Sequence, residues 1–582
     1  MSADTGQQPS ERMVRWACTT LRKAYDDYLQ EFQVITRRAK RRFETCDWRG
    51  GQRDALARLT LVSEHVWQSM LVLRTQFGDR IADRALWAQI KTSYARAIEG
   101  LPTVELAETF YNSVTRRIFS TLGVDAQIEF VSPEARPGPS TEEVTRSFTR
   151  GEGPGATETL LREILETYRF DATYRSFDED VKAGAAWIDA HFANREMFER
   201  VELACWPFFR GKAAYLVGRA WRGETFTPFI LAFRHQEQGV ILDAVLLEDR
   251  QARILFSFTR SYFHVDVSHP RALVDLLHAL LPMRRLSELY ISLGFTKHGK
   301  TELYREVAEH AQRSGERLVP AEGDRGMVMI VFNYPSLNLV FKVIRDRIPP
   351  PKNTSHDEVK AKYNLVYRQD RAGRLVDAQE FEHLTFRRDG IDPRVIDELL
   401  EDAPSAIRCE GDWVHLRHLY VERRVRPLNL FLRETDEESA RGAVLDYGQA
   451  IRDLAATNTF PGDLLLKNFG VTRNGRVIFY DYDELSLVTE CQFRDMPTAR
   501  DDDDDMRAEP WFFVDEDDIF PEEFPRFLGL SPALERVLRE EHGELFTAAW
   551  WRGIQEKIRA GEIVDIFPYP QSARLRPEIS AA

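Results

Sequence analysis

The feature that most constrains the fold is a change of hydrophobic pattern near residue 317. Before this point apolar residues recur with helical spacing, whereas after it short strand-like segments come first and a helix over about 436–457 follows. Strands followed by helices are the order expected of an α+β domain with two lobes. The sequence therefore predicts two units, residues 1–316 and 317–582, because 582 residues are too many for one hydrophobic core.

The first unit has the spacing of a helical bundle with a sheet placed inside it. Apolar residues recur at four-residue steps between Pro102 and Gly123, namely Leu106, Phe110, Val114, Ile118 and Leu122. A Pro- and Gly-rich stretch from Ser132 to Gly155 predicts an exposed loop or linker. Between about 212 and 266 four segments have strand composition, AAYLVGRAW, TPFILAFRH, GVILDAVLL and ARILFSFTR. We therefore expect a mainly helical unit with a small antiparallel sheet.

Charge and cysteine usage argue against several classes of partner. The net charge of −14 would repel nucleic acid and anionic membrane surfaces, so neither is expected as a partner. The five cysteines are scattered without a CxxC pair and predict a reducing cytoplasm rather than a disulfide framework or a zinc site. The N-terminal residues lack the pattern of a signal peptide, and no run of apolar residues predicts a membrane span. The oligomeric state stays open, with a homodimer among the alternatives.

Three polar residues in the second unit have a spacing that indicates chemistry. In FPGDLLLKNFG, Asp463 and Asn468 are separated by four residues, and Asp481 follows thirteen residues after Asn468. An Asn-Gly dipeptide between them predicts a hairpin that folds Asp481 back towards Asn468. Taken singly, Asp463 would cap a turn and Asp481 would lie on the wet face of a strand. Taken together, they match the D-x4-N arrangement and later aspartate of protein kinases.

Two upstream features fit the same chemistry. Lys342 lies within the apolar segment LVFKVI, where its ammonium must reach water at an edge or pair with a buried anion. Glu358, Glu380 and Glu382 are candidate partners, and sequence spacing does not choose among them. A turn with two glycines precedes the strand at 328–332, and such a turn can cradle an anion but is more often only a turn. It comprises Ala321, Glu322, Gly323, Asp324, Arg325, Gly326 and Met327.

These features together supply what phosphoryl transfer requires. The reaction needs an amine for the phosphates, carboxylate and amide ligands for Mg²⁺, and an acceptor for the hydroxyl proton. The residues above provide each of them in chain order, so the sequence predicts a kinase that uses ATP and Mg²⁺. Two alternatives stay open. One is a small-molecule kinase of the aminoglycoside or choline type, and the other is a nucleotide-sensing scaffold without turnover.

Longer motifs, spread over nearly the whole chain, resemble the isocitrate dehydrogenase kinase/phosphatase family. They are NSVTRRIF at 112–119, TRSYFHV at 259–265, TKHGKTELYRE at 296–306, RGMVMIVF at 325–332, VFKVIRD at 340–346, DAQEFE at 377–382, RHLYVERR at 417–424 and PGDLLLKNFGVT at 461–472. The resemblance implies a two-lobed protein-kinase-like catalytic domain preceded by a regulatory domain. It implies an enzyme that phosphorylates and dephosphorylates a serine of isocitrate dehydrogenase, and so controls flux between the citric acid cycle and the glyoxylate bypass.

The resemblance also implies roles for individual residues. Residues 321–327 and Lys342 would bind ATP, and Asp463 would serve the transferred hydroxyl, with Lys467 in the same catalytic set. Asn468, Asp481 and Asp483 would hold Mg²⁺.

Two further roles follow from the resemblance alone. Asp377 is implied in the phosphatase activity, although its place near the start of a predicted helix favours a capping role. AMP is implied as an allosteric effector, and the basic segment Thr296–Lys300 is the candidate for its site.

Overall fold

The chain folds into a mixture of helices and sheets, as an α+β protein should. The computed structural model describes residues 9–131, 141–257, 262–323, 325–350, 352, 354–369, 371–497, 512–515, 517–564 and 566–576. Within these ranges, no helix is both long enough and apolar enough to cross a membrane.

The N-terminal region is a helical bundle. Its helices are α1 (Pro9–Glu44), α2 (Trp48–Phe77), α3 (Arg84–Ile98) and α4 (Val104–Phe119). Large aromatic residues such as Tyr25, Trp87 and Phe110 fill its core. The predicted helix between Pro102 and Gly123 is therefore present but ends earlier, because Ser120 adopts the left-handed conformation that terminates helices.

The first sheet is antiparallel, in the order β1-β2-β4-β5-β6 with β3 paired to β4. Its strands are β1 (Thr145–Thr149), β2 (Arg200–Ala204), β3 (Phe208–Arg210), β4 (Ala213–Arg222), β5 (Thr225–Gln236) and β6 (Gly239–Leu246). Helices α5 (Ala156–Thr167) and α6 (Phe177–Phe192) pack on the face that contains Leu216, whereas the face that contains Val217 packs towards the bundle. Burial of both faces explains the nearly continuous apolar composition of these strands.

Two details of this region differ from the prediction. Ser132–Ser140 lie outside the described residues, but the rest of the predicted linker contains β1, whose buried Phe148 packs with the first sheet. The segment predicted as a fourth strand, residues 252–260, begins inside a helix, α7 (Asp249–Leu255), and residues 258–260 lie outside the described residues. The Gln251 side chain accepts the backbone N–H groups of Leu247 and Glu248, which satisfies two donors at the helix start. Short apolar runs do not distinguish a helix from a strand, and in this segment the capping by Gln251 favours the helix.

Three helices lead to the second sheet, α8 (Pro270–Leu280), α9 (Leu286–Ser292) and α10 (Thr296–Arg313). That sheet is antiparallel, in the order β10-β12-β9-β8-β7 with β11 paired to β12. Its strands are β7 (Val319–Pro320), β8 (Met329–Asn333), β9 (Leu339–Ile344), β10 (Ala378–Arg387), β11 (Ile407–Glu410) and β12 (Trp413–Arg423). Helix α11 (His356–Gln369) packs on one face, and α12 (Pro393–Asp402) and α10 pack on the other.

The remainder is mainly helical with short strands. The helices are α13 (Leu428–Glu434), α14 (Glu437–Ala456), α15 (Phe524–Leu528), α16 (Pro532–His542) and α17 (Ala548–Arg559). The strands are β13 (Arg426–Pro427), β14 (Phe469–Val471), β15 (Val477–Phe479), β16 (Gln492–Phe493) and β17 (Asp518–Ile519). Helix α14 confirms the helix predicted at about 436–457. Antiparallel pairing of β14 with β15 confirms the predicted hairpin.

The C-terminal segment returns to the first sheet. The Tyr569 hydroxyl donates to Asp243 at 2.7 Å, and Arg574 Nε donates to the same buried carboxylate at 3.0 Å. Ala573 and Tyr569 belong to the hydrophobic core of the N-terminal region. The last described residues therefore pack with the first predicted unit, although they belong to the second in the sequence.

Candidate functional site

A buried ion pair lies in the second sheet. Lys342 on β9 is buried, and its Nζ is 2.7 Å from Oε2 of Glu422 on the neighbouring strand β12. Tyr363 on α11 donates its hydroxyl to the other carboxylate oxygen at 3.1 Å. Burial raises the pKa of Glu422, and the charge of Lys342 opposes that rise. The ammonium is thus held at a defined point by a carboxylate that is itself hydrogen-bonded.

Glu422 is a partner that the sequence did not indicate. Glu358 accepts the backbone N–H of Ser355 at 2.7 Å, and Glu380 lies 2.7 Å from the His418 ring. Glu382 lines a separate cavity. None of these three predicted candidates pairs with Lys342 within the described ranges. Pairing of β9 with β12 joins positions that are 80 residues apart, a juxtaposition that local spacing does not encode.

The loop that contains Asp463 holds a second group of polar side chains. Asn468 Nδ2 donates a hydrogen bond to Asp463 Oδ1, so the two residues of the D-x4-N motif are in contact. Burial raises the pKa of Asp463, the charge of Glu484 raises it further, and Lys352 opposes both. Lys467 is exposed in the turn beside Asn468, and its charge also lowers the pKa of Asp463.

The β14–β15 hairpin joins this loop to the Lys342 pair. The backbone N–H of Tyr480 donates to the carbonyl oxygen of Asn468 at 3.1 Å. Lys342 Nζ donates to the carbonyl oxygen of Tyr480 at 3.0 Å. One residue therefore contacts both the ammonium and the D-x4-N loop, so the structure brings Lys342, Asp463 and Asn468 into one site next to Asp481.

Carboxylates are concentrated beyond Tyr480. Burial raises the pKa of Asp483, and the negative charge of Asp481 raises it further. Asp481 also raises the pKa of Asp463. A cation would relieve this mutual repulsion. In the part of the chain described, no three His, Cys, Asp or Glu side chains form a metal-binding group.

The glycine turn is anchored by α12 rather than being loose. Arg325 forms ion pairs with Glu398 at 2.8 Å and with Asp402 at 2.6 Å. Gly326 offers its carbonyl oxygen to Arg345 Nε at 3.0 Å. Ala321 donates its backbone N–H to Val331, the side chains of Glu322 and Met327 are exposed, and Gly323 has a φ of 114°. Asp324 lies outside the described residues.

Asp377 precedes strand β10 and does not begin a helix, so the predicted capping role is wrong. Gln379 Nε2 donates to Asp377 Oδ2 at 2.8 Å. The carboxylate lines a small recess with Arg423 and Arg476. The neighbouring carbonyl oxygen of Val376 accepts the Tyr482 hydroxyl, which ties this position to the Asp481–Asp483 segment.

A second cavity, of about 340 Å³, lies between α4, α10 and β10 and is strongly basic. The segment Thr296–Lys300 forms the first turn of α10, and Lys297 and Lys300 line the cavity with Arg116 and Arg117. Burial lowers the pKa of Lys300 to about 7, and the like charge of Lys297 adds to this effect. The aromatic residues Tyr304 and Phe381 complete the lining.

Comparison with known proteins covers nearly the whole chain. Residues 18–315 match the family "Isocitrate dehydrogenase kinase/phosphatase (AceK), regulatory domain", and residues 316–571 match the corresponding "kinase domain". A protein of Anaeromyxobacter sp. (strain Fw109-5) named isocitrate dehydrogenase kinase/phosphatase is 52% identical over 95% of this chain and 96% of its own length. A protein of the same name from Xanthomonas euvesicatoria pv. vesicatoria (strain 85-10) is 43% identical over 97% and 98%.

Gly462 sets the position of the aspartate that follows it. Its φ is 81°, and an added Cβ would come within 2.5 Å of Glu484 Cβ, whereas Gly529 has a φ of 65° and open space around it. We expect Gly529→Ala to cost about 1 kcal/mol of unfolding free energy from backbone strain alone. Gly462→Ala should cost roughly 1–3 kcal/mol more, because side-chain overlap adds to that strain. Urea unfolding of both variants tests this, and equal losses would contradict the role given to Gly462.

Proposed function

The chain belongs to the isocitrate dehydrogenase kinase/phosphatase family, and we propose that it phosphorylates a serine of isocitrate dehydrogenase with Mg-ATP and removes the phosphate again. Balance between the two reactions would set flux between the citric acid cycle and the glyoxylate bypass. The observation that carries the proposal is the contact of Tyr480 with both Lys342 and Asn468, which brings the kinase motifs into one site. The five free cysteines agree with a cytoplasmic location.

In the forward reaction, the serine Oγ attacks the γ-phosphorus of ATP, its proton passes to Asp463, and ADP leaves. The raised pKa of Asp463 suits a group that must accept a proton in the reaction. Lys342, held by Glu422, is the ammonium that would bind ATP phosphates, with the turn at 321–327 beside them. Asn468 and Asp481, with Asp483 nearby, would hold Mg²⁺, which when bound neutralises charge on the phosphates. Lys467 would attract the acidic reactants from the exposed side of the loop.

In the dephosphorylation, water attacks the phosphorus of phosphoserine, the serine oxygen leaves and takes up a proton from solvent, and inorganic phosphate is released. We assign the acceptor of the water proton to Asp377. Its support is the hydrogen bond from the Tyr482 hydroxyl to the Val376 carbonyl, which ties the backbone beside Asp377 to the segment that contains Asp481. A single site for both reactions requires the Asp377 carboxylate to reach that segment from the recess that it lines.

We further propose a division into a regulatory domain, residues 1–316, and a two-lobed kinase-like domain, residues 317–582. The two family matches meet between residues 315 and 316, and the second sheet followed by helices supports the two lobes.

AMP would bind in the basic cavity beside Lys300, because that cavity offers cations for a phosphate and aromatic rings for a base.

The proposed reactions are tested with purified isocitrate dehydrogenase and γ-labelled Mg-ATP. Asp463→Asn should reduce the rate of label transfer by about 10²–10⁴-fold, because the hydroxyl proton loses its acceptor. Asp377→Asn should leave transfer measurable but stop the release of phosphate from labelled isocitrate dehydrogenase. Asp436→Asn is the matched control, since Asp436 caps α14 and Asn caps a helix equally well.

Four results would contradict this assignment. Unchanged transfer in Asp463→Asn would remove its catalytic role, and intact dephosphorylation in Asp377→Asn would remove the second role. Label that appears only on small hydroxylated molecules would favour a kinase of the aminoglycoside or choline type. ATP binding without turnover, the same in Asp463→Asn, would favour a nucleotide-sensing scaffold.

Binding of AMP should weaken as the pH rises. The Lys300 ammonium, with a pKa of about 7, faces Lys297, Arg116, Glu380 and Glu382 and loses its proton between pH 7 and pH 8. The AMP phosphate is already doubly charged in this range, so its affinity should fall about fivefold. Titration of AMP at both values measures the effect. Lys300→Arg should bind AMP without this dependence, and an equal slope in the variant would contradict the assignment.

A further inference from the structure

A larger cavity, of about 430 Å³, lies away from both sites described above. Its walls come from α1 and α2 of the bundle, from the β3–β4 turn of the first sheet and from the residues after α17. Tyr367 of α11, Arg371, which follows that helix, and residues 456–458 at the end of α14 also line it. The cavity is therefore built from both predicted units and from the segment that leads to the C-terminus.

Cations predominate on the walls. Among the described residues, the cavity is lined by Arg58, Arg210, Lys212, Arg234 and Arg371, in addition to Arg42 and Arg49, and by the carboxylates Asp54 and Glu562. Asp54 is already used by Arg42, which it contacts at 3.0 Å. A cavity with this balance of charge attracts anions.

Arg371 is half-buried and, among the described residues, forms no hydrogen bond or ion pair. Burial lowers the pKa of its guanidinium. A guanidinium that is removed from water without an anion is costly unless something else compensates it. A bound anion would supply that compensation.

Two buried nitrogen atoms on the walls are also unsatisfied. Arg58 is 5% exposed and donates from Nη1 to Phe263 and from Nη2 to Leu293, but its Nε has no hydrogen-bond partner among the described residues. The same holds for Nε2 of the buried His264. Buried polar atoms are normally paired, so unsatisfied ones in two residues that line a cavity of this size favour a ligand there.

The walls are also aromatic. Trp48, Tyr215, Tyr262 and Phe567 line the space between the cations. Aromatic rings favour an apolar body, whereas arginines favour phosphate or carboxylate groups. The complementary ligand is therefore a small organic anion rather than an inorganic ion.

Helix α11 links this cavity to the ion pair in the second sheet. Tyr367, which lines the cavity, is one helical turn after Tyr363, whose hydroxyl donates to Glu422. Glu422 in turn holds Lys342 at 2.7 Å. A ligand that pulls on Arg371 and the end of α11 would shift the residue that positions the Lys342 pair.

We propose that this cavity binds a small organic anion bearing phosphate or carboxylate groups, and that its occupancy changes nucleotide affinity through α11 and the Lys342–Glu422 pair. The effect on nucleotide affinity rests on the proposed function, because it assumes that Lys342 binds ATP. The anion site itself does not depend on that assumption.

Calorimetric titration of the full-length protein tests the site, with phenyl phosphate and phthalate as probes at constant ionic strength. The tighter probe indicates whether phosphate or carboxylate is preferred. Arg371→Gln should weaken that binding at least about tenfold, since a charged hydrogen bond is lost. Lys212→Gln, in the tight β3–β4 turn, provides a second variant if Arg371→Gln does not fold. Lys362→Gln is the control, because it removes one positive charge from the preceding helix α11 at a residue that does not line the cavity.

The site is overturned if neither probe binds saturably, if both cavity variants bind as the unsubstituted protein does, or if Lys362→Gln weakens binding equally. Binding of a probe in the cavity beside Lys300 would be unaffected by Arg371→Gln, so that variant distinguishes the two cavities.

The coupling is tested by the affinity for ATP. At a saturating concentration of the probe, the Kd of ATP should change severalfold in the unsubstituted protein and in Lys362→Gln, but not in Arg371→Gln. An unchanged Kd overturns the coupling and leaves the site. No ATP binding in any variant overturns the proposed function and leaves the probe titration valid.

Discussion

The Lys342–Glu422 ion pair is the interaction on which the rest of the site depends. A buried ammonium and a buried carboxylate are each costly alone, and the pair is stable only where further hydrogen bonds complete it. Tyr363 supplies one of these bonds and the Tyr480 carbonyl supplies another. The pair therefore ties a central strand, helix α11 and the segment after β15 to one point. Removal of either charge would leave the other uncompensated inside the protein.

The two larger cavities lie where the two predicted units meet. Helix α10 packs on the second sheet through Leu303 and Val307, and the basic cavity beside Lys300 opens along that contact. The C-terminal segment crosses back to the first sheet and is fixed there by the Asp243 cluster. The larger cavity lies next to the start of that crossing. Ligands at these junctions would contact both units at once, which is the physical requirement for coupling a regulatory region to a distant reaction.

Local sequence signals predicted the elements whose cause is local. The helix α14, the Asn-Gly hairpin and three of the four strand segments of the first sheet are present because periodicity and turn residues specify them. Helix α7 was missed because its capping by Gln251 outweighs its strand-like composition. Contacts between distant strands were not predictable: Glu422 reaches Lys342 only through strand pairing, and Asp377 precedes a strand that composition did not identify. Spacing and resemblance identified the motif residues as candidates, and their roles in binding and catalysis stay predictions.

The most direct test of the account is equilibrium binding of ATP with and without Mg²⁺. If Lys342, Asn468 and Asp481 surround one metal-bound triphosphate, Glu422→Gln should weaken ATP binding under both conditions, because the ammonium loses its anchor. Asp481→Asn should instead remove the gain in affinity that Mg²⁺ confers and leave metal-free binding nearly unchanged. Binding of Mg-ATP by both variants with the affinity of the unsubstituted protein would contradict the central claim.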